Sequence, residues 1–258
     1  KSRTGNKNAS RANFYDVTDF IGWYTEQSNK ILGISKKDAY NQYLAYHEGH
    51  NGWKKKSYNS KNWLVERHRD LFFKQSKIQG YRSRSAFKLI EMNKKFKFLN
   101  KNIYVLDLGS SPGGWSQVVR KKISEGKILA VDIKPMTTID KVMFLHEDLT
   151  NPIIFEKIFA YFSRKIDLVI SDLAANTTGN KNLDSYKTGE LCLKAMDLAK
   201  NILHRDGVFL SKVFMGSIFD EIHKKANKYF KKVIKYKPRS SKKESKEIYI
   251  YCKGILKV

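Results

Sequence analysis

The stretch VLDLGSSPGGWSQVV, residues 105–119, runs from apolar residues into an aspartate and then gives up nearly all its side chains before turning helical. Gly109, Gly113 and Gly114 allow a tight turn and let a ligand come close to the backbone with no Cβ in the way. The spacing G-x-x-x-G-G is neither the dinucleotide fingerprint G-x-G-x-x-G nor a Walker loop, so the segment suits a nucleoside without a pyrophosphate cradle. Asp132 closes the apolar run LAVD, where a carboxylate accepts hydrogen bonds from both hydroxyls of a ribose. Asp148, in LHEDLT, is placed to accept one from an exocyclic adenine amine. Either aspartate alone reads equally well as the cap of a following helix. Together with the glycine loop they outline an adenosine pocket, the shape of an S-adenosylmethionine site.

Methyl transfer from a sulfonium to a hydroxyl needs an in-line nucleophile held near attack distance and a group to take its proton. Asp172 ends the apolar run of VISD, and Lys212 interrupts VFLSKVF, where a charge is costly unless it has a partner or a task. Glu247 opens EIYIY, and Lys88 stands in SAFKLIE just ahead of the glycine segment. Two ammonium groups held close together repel one another, which favours release of a proton from one of them and leaves an amine able to act as base. Two carboxylates beside them would orient that amine. With 50 Lys and Arg in the chain, any one lysine taken singly is more simply a solvated surface charge.

The elements that must position these residues are legible in the spacing. Strand-like runs recur at IYVLDL, KILAVDI, KVMFLH, IDLVIS, GVFLSKVF, KKVIKYK and EIYIYCKG, with helical stretches between most of them. The clearest helix is YKTGELCLKAMDLAKNIL, in which Leu191, Ala195, Leu198 and Ile202 define one buried face. Strands alternating with helices give an α/β, Rossmann-like doubly wound domain with a mostly parallel sheet covered on both faces. The last two strands have no helix between them and are expected as an antiparallel hairpin at the sheet edge. In such a sheet the ligand lies beyond the carboxyl ends of the strands, which is where the glycine loop and the aspartates fall.

The chain has 258 residues, 41% of them hydrophobic, and 50 basic against 25 acidic residues give a net charge of +25. That excess points to a polyphosphate partner, most simply RNA, whose counterions Lys and Arg displace. Two cysteines, Cys192 and Cys252, without CxxC spacing argue against a disulfide scaffold or structural zinc and fit a reducing compartment. No apolar run approaches the ~20 residues that span a bilayer.

In order and spacing, GYRSRSAFKLIE, VLDLGSSPGGWSQVV, VDIKPM, ISDLAAN, LSKVFMG and PRSSKKESKEIYIY resemble the FtsJ-like ribosomal RNA 2′-O-methyltransferases, and the resemblance covers residues 60–258. It implies a Lys-Asp-Lys-Glu tetrad acting on a ribose 2′-hydroxyl, matched by Lys88, Asp172, Lys212 and Glu247, with Lys212 as proton acceptor. It also implies S-adenosyl-L-methionine as cofactor, contacted by Gly113, Trp115, Asp132, Asp148 and Asp172. The implied substrate is a uridine of large-subunit ribosomal RNA, free or in the assembled subunit, met in the cytoplasm by a monomer with no membrane attachment. Arg82 and Arg84 before the tetrad, and Arg239, Lys242 and Lys243 within it, are then expected to hold RNA phosphates. Ala175 stands where the family usually has proline, a change that would loosen the loop after Asp172. Two other readings of the same residues are a non-catalytic RNA-binding module and a 2′-O-methyltransferase acting on tRNA or an mRNA cap.

Residues 1–58 read differently: two short amphipathic helices, a turn near Gly49 and Gly52, then a linker before a methyltransferase domain at 59–258. This portion resembles the C-terminal part of a lysozyme-like transglycosylase, without the catalytic acid that such enzymes carry upstream. His47 and His50 in HEGH lack H-E-x-x-H spacing and are read as a turn with surface histidines, so neither chemistry nor a metal is assigned here.

Overall fold

The computed structural model describes residues 14–54, 71–175, 178–242 and 245–256. The chain divides into two compact units, Lys1–Asp70 and Leu71–Val258. The expected boundary at 58–59 lies outside the described residues.

In the first unit, helix α1 (Phe14–Leu32) and helix α2 (Ala39–Lys54) form a hairpin, longer than the two short helices expected. The turn expected near Gly49 is instead a kink inside α2, where Gly49 takes φ 72° and ψ 161°. Tyr24 donates its hydroxyl to the Ala45 carbonyl at 2.7 Å, and its ring lies 4.7 Å from that of His50. His50 Nε2 is 3.0 Å from the hydroxyl of the buried Ser28, so this histidine is a packing residue rather than a surface one. Among the described residues of the whole chain, no cluster of His, Cys, Asp and Glu could hold a metal, and no helix is long and apolar enough to cross a membrane.

The second unit begins with α3 (Leu71–Ile78) and α4 (Ser85–Phe96). It continues as β1 (Val105–Leu108), α5 (Gly114–Lys122), β2 (Ile128–Asp132), β3 (Met143–His146), α6 (Ile154–Phe162) and β4 (Ile166–Ser171). It closes with α7 (Lys181–Ile202), β5 (Leu203–Phe214), α8 (Phe219–Tyr229), β6 (Phe230–Tyr236) and β7 (Glu247–Ile255). The strands form a seven-stranded sheet in the order β3-β2-β1-β4-β5-β7-β6. β1 to β5 pair in parallel, and β7 is antiparallel to both β5 and β6. The hairpin expected at the edge is present, with β7 folded inward and the lysine-bearing β6 at the rim, where charge discourages pairing with another chain.

Alternation along each strand divides the core in two. Leu106, Leu108, Val169, Phe209, Val213, Ile250 and Cys252 pack with α6, α7 and α8 on one face. Val105, Leu168, Ile170, Val208, Leu210, Tyr249 and Tyr251 pack with α4 and α5 on the other. On α7, Ala195, Leu198 and Ile202 are buried as the spacing predicts, but Leu191 is only half-buried and Cys192 takes the core position beside it.

A carboxylate lies on the same face as the second core. Asp107, in the middle of β1, is fully buried; it accepts the Ser116 hydroxyl on Oδ2 at 2.6 Å, while Oδ1 has no hydrogen-bond partner. Burial pushes its carboxyl up to about 7; the Ser116 bond opposes that, and the nearby charges of Asp172 and Asp132 add to it. Between roughly pH 4 and 7 the folded chain therefore binds a proton that the unfolded chain has lost, so stability falls as pH rises through that window. Asp107→Asn removes this titration. In urea denaturation at pH 5 and pH 8, the variant should gain on the wild type at the higher pH by at most about 3 kcal/mol. An equal difference at both pH values would show that Asp107 does not titrate in this way.

Candidate active site

The sheet reverses its winding between β1 and β4, and the crevice beyond the carboxyl ends of these strands is where an α/β sheet binds ligands. The glycine loop leaves β1 there, Asp132 is the last residue of β2, Asp148 follows β3 and Asp172 follows β4. Gly109 has φ +72°, and a Cβ on it would lie 2.8 Å from the backbone nitrogen of Leu173 on the adjoining loop. Gly113 has φ +108°, and a Cβ there would meet the Arg82 guanidinium at 2.8 Å and the Met136 sulfur at 3.0 Å. A Cβ on Gly114 would collide with the Ser83 hydroxyl. The loop is thus bare because neighbouring segments close on it as well as because a ligand must approach.

Asp132 accepts the Ser111 N–H on one carboxylate oxygen and the Lys134 N–H on the other, both at 2.8 Å. Asp148 accepts the Thr150 N–H at 2.7 Å, and that bond, with the Thr150 hydroxyl, holds its carboxyl below the ordinary range. A carboxylate has about four acceptor positions, so both retain lone pairs for ribose hydroxyls and an amine. Bare backbone beside carboxylates at the ends of successive strands fits a nucleoside-bearing ligand. Trp115 is 2% exposed, donates its indole N–H to the Ser85 carbonyl at 2.9 Å and packs 5.8 Å from Tyr249. Its ring belongs to the core packed beneath the glycine loop, at the first turn of α5.

The four proton-moving candidates come together on the sheet face covered by α4 and α5. Asp172 continues the alternation of Leu168 and Ile170, Lys212 that of Val208 and Leu210, and Glu247 that of Tyr249 and Tyr251. Ser171 pairs with Ser211, so Asp172 and Lys212 are next to each other on adjacent strands. Lys212 Nζ donates to the Asp172 backbone carbonyl at 2.7 Å and lies 3.1 Å from its carboxylate. Lys88 Nζ reaches down from α4 to both Glu247 oxygens, at 2.7 and 2.8 Å. Lys212 and Glu247 are each 8% exposed. The lysines are therefore each matched to a carboxylate, which buried charge requires.

Tyr249, which the sequence reading passed over as a strand hydrophobe, joins the two pairs. It lies opposite Lys212 in the β5–β7 register and donates its hydroxyl to Asp172 Oδ1 at 2.9 Å. The Lys88 ammonium stands 5.8 Å from the centre of its ring. Burial, followed by the charges of Asp172 and Glu247, pushes its hydroxyl pKa well up, so it stays a donor. Ser241 adds a hydrogen bond to Glu247 Oε1 at 2.8 Å.

Ala175, where proline was expected, donates its N–H to the hydroxyl of the buried Thr188 at 3.1 Å. Proline has no N–H to donate, so a hydrogen bond tethers the loop here instead of a fixed φ. Asn176 and Thr177 beyond it lie outside the described residues.

Of the basic residues expected to hold phosphates, Arg239 and Lys242 are exposed on the β6–β7 connection, and Lys243 lies outside the described residues. Arg84 donates to the Ser240 carbonyl of that connection, and Arg82 points the other way, to the loops of the cofactor crevice. Glu91 on α4, also unnoticed in the sequence, holds the basic connection in place. It accepts the N–H groups of Arg239 and Ser240 at 2.8 and 3.2 Å, the Ser240 hydroxyl at 3.2 Å and the Tyr236 hydroxyl at 2.7 Å. Burial raises its carboxyl pKa, but these hydrogen bonds together outweigh that and leave it below the ordinary value.

The model of the FtsJ-like methyltransferase family matches residues 81–255, and that of a transglycosylase SLT domain matches residues 1–80. A protein of Pelagibacter ubique named ribosomal RNA large subunit methyltransferase E is 46% identical over 199 residues, covering 77% of this chain and 98% of its own length. Its namesake in Hahella chejuensis is 41% identical over 201 residues, with the same coverage. The crystal structure of a candidate ribosomal RNA methyltransferase from Plasmodium falciparum superposes with a TM-score of 0.62 at 33% identity, covering 68% of this chain and 99% of its own. With a matching model over most of its length and relatives this similar, the chain belongs to the FtsJ-like methyltransferase family.

Proposed function

We propose that this chain methylates a ribose 2′-hydroxyl, that of a uridine, in large-subunit ribosomal RNA, with Lys212 as the proton acceptor. S-adenosyl-L-methionine is the cofactor, and its relatives' names give ribosomal RNA as the substrate class. The observation that carries the finer reading is the convergence of Lys88, Asp172, Lys212 and Glu247 as two adjoining buried ion pairs beside the adenosine-shaped crevice.

The cofactor supplies an electrophilic methyl group on a sulfonium. Asp132 and Asp148 would hold its ribose and base, beside the bare backbone of 109–114. Lys212 Nζ would accept the proton of the 2′-hydroxyl as the oxygen takes up the methyl carbon, while the carbon–sulfur bond breaks and its electron pair leaves on sulfur as the S-adenosylhomocysteine thioether. The ammonium so formed is stabilised by the Asp172 carbonyl and carboxylate, which are already in place. Lys88 and Glu247 pair with each other, with the Lys88 ammonium near the Tyr249 ring, and form the second charge pair beside that site. Arg239 and Lys242, with Arg84 behind them, hold phosphates and position the RNA without reading its sequence. We further read the chain as a cytoplasmic monomer that acts on the RNA or on the assembled large subunit.

Labelled methyl transfer to ribosomal subunits tests the chemistry. Lys212→Ala should lower single-turnover transfer by ~10² to 10⁴-fold while subunits still bind, and the product should be one alkali-resistant ribose. Wild-type protein that binds RNA but transfers nothing would make the chain an RNA-binding module, and transfer to tRNA or capped RNA alone would move the substrate. Glu91→Ala should release the basic connection and raise KM for RNA by about tenfold, with cofactor affinity unchanged. An unaltered KM would remove that connection from RNA binding.

A further inference from the structure

The turn between α3 and α4 carries both Arg82 and Arg84, two positions apart, and sends them in different directions. Arg84 reaches the β6–β7 connection at Ser240. Arg82 turns to the cofactor crevice. Its NH1 nitrogen donates to the Thr137 carbonyl at 2.6 Å and lies 3.3 Å from the Pro112 carbonyl; NH2 donates to the Thr138 carbonyl at 2.9 Å. Pro112 belongs to the glycine loop after β1, and Thr137 and Thr138 belong to the connection from β2 to β3. One planar guanidinium thus bridges the two segments that carry Gly113 and Asp132.

The position of Arg82 is itself secured. Its backbone N–H donates to Gln117 Oε1 at 2.8 Å, and the Gln117 amide donates back to the Gly80 carbonyl at 3.0 Å, tying the turn to α5. One guanidinium nitrogen lies 2.8 Å from where a Cβ on Gly113 would stand, so the bare backbone at that position accommodates the arginine. Closer to the strands the two segments are already linked, through the Ser111 N–H to Asp132 and the Ser111 hydroxyl to the Pro135 carbonyl. Among the hydrogen bonds of the described residues, Arg82 makes the bridge that extends to residues 137 and 138.

We propose that Arg82 is a positioning residue of the cofactor pocket, its guanidinium fixing the spacing between the glycine loop and the β2–β3 connection instead of neutralising an RNA phosphate. The proposal rests on the reading of this crevice as the S-adenosylmethionine site. A rigid fork with several donors suits carbonyls on two separate segments, and a lysine ammonium on a flexible stem does not replace it. Fixing both segments before the cofactor arrives lowers the ordering cost of binding.

The test uses the full chain with Arg82→Ala and Arg82→Lys, with Lys242→Ala as the phosphate-contact comparison. Calorimetric titration with S-adenosylhomocysteine measures the pocket, and RNA binding over a range of salt counts phosphate contacts. Both Arg82 variants should bind S-adenosylhomocysteine about tenfold more weakly, with the salt slope of RNA binding unchanged. Lys242→Ala should lower that slope by about 1. Thermal melting checks folding, and if the alanine variant does not fold, the lysine variant decides. S-adenosylhomocysteine affinity within twofold of wild type would overturn the proposal, and a salt slope lowered by Arg82→Ala alongside it would return Arg82 to the RNA interface. Wild-type protein that fails to bind S-adenosylhomocysteine would overturn the cofactor reading itself, and this proposal with it.

Discussion

Lys88, Lys212, Asp172 and Glu247 bring four charges onto a face of the sheet that is otherwise built from Val208, Leu210, Tyr251 and the underside of α4. Charges withdrawn from water persist only when opposite charges and hydrogen bonds replace the lost hydration. That requirement shapes the surroundings. β4, β5 and β7 must be neighbours in this order, since Asp172, Lys212 and Tyr249 come from three adjoining strands. The antiparallel entry of β7 is needed as well, because it returns Glu247, the first residue of the strand, to the end of the sheet where β4 and β5 finish. α4 must cross that end so that Lys88 can reach Glu247. Tyr249 closes the arrangement, with its ring toward Lys88 and its hydroxyl on Asp172.

The cofactor side of the crevice depends on a different economy of space. Strand β1 stops at Leu108, and the segments that crowd its loop, Leu173 on one side and Arg82 with Met136 on the other, leave no room for side chains at Gly109 and Gly113. Hydrogen bonds from backbone N–H groups orient Asp132 and Asp148 before any ligand is present. A site ordered in advance presents its lone pairs at little further entropic cost. The carboxyl of Asp107 beneath it is pushed up chiefly by burial, with the charges of Asp172 and Asp132 adding to that.

The substrate side is organised by α4. Lys88 serves the charge cluster, and Glu91, one helical turn on, anchors the connection that carries Arg239 and Lys242. A carboxylate that takes up the backbone N–H groups of a basic loop leaves its cations exposed and fixes where they stand. The same helix thereby ties the exposed β6–β7 connection to the charge cluster.

The sequence alone determined the fold class, because short apolar strand-like runs alternate with helical stretches through most of the second unit. It also singled out residues that the fold brings together: a lysine inside VFLSKVF, an aspartate at the end of VISD and three closely spaced glycines are conspicuous in any strand-and-helix reading. Only the tertiary structure decided who partners whom. Tyr249 reads as one more aromatic residue in a strand, and its role emerges only from its register opposite Lys212. Glu91 reads as an ordinary helical glutamate until residues nearly 150 positions away fold onto it. Arg82 and Arg84 are indistinguishable in YRSR, since a basic residue's type gives its charge but not its direction. Sequence periodicity records which face a residue occupies, because burial acts locally on each element. Pairing across elements is set by packing between distant segments, and no local pattern encodes it.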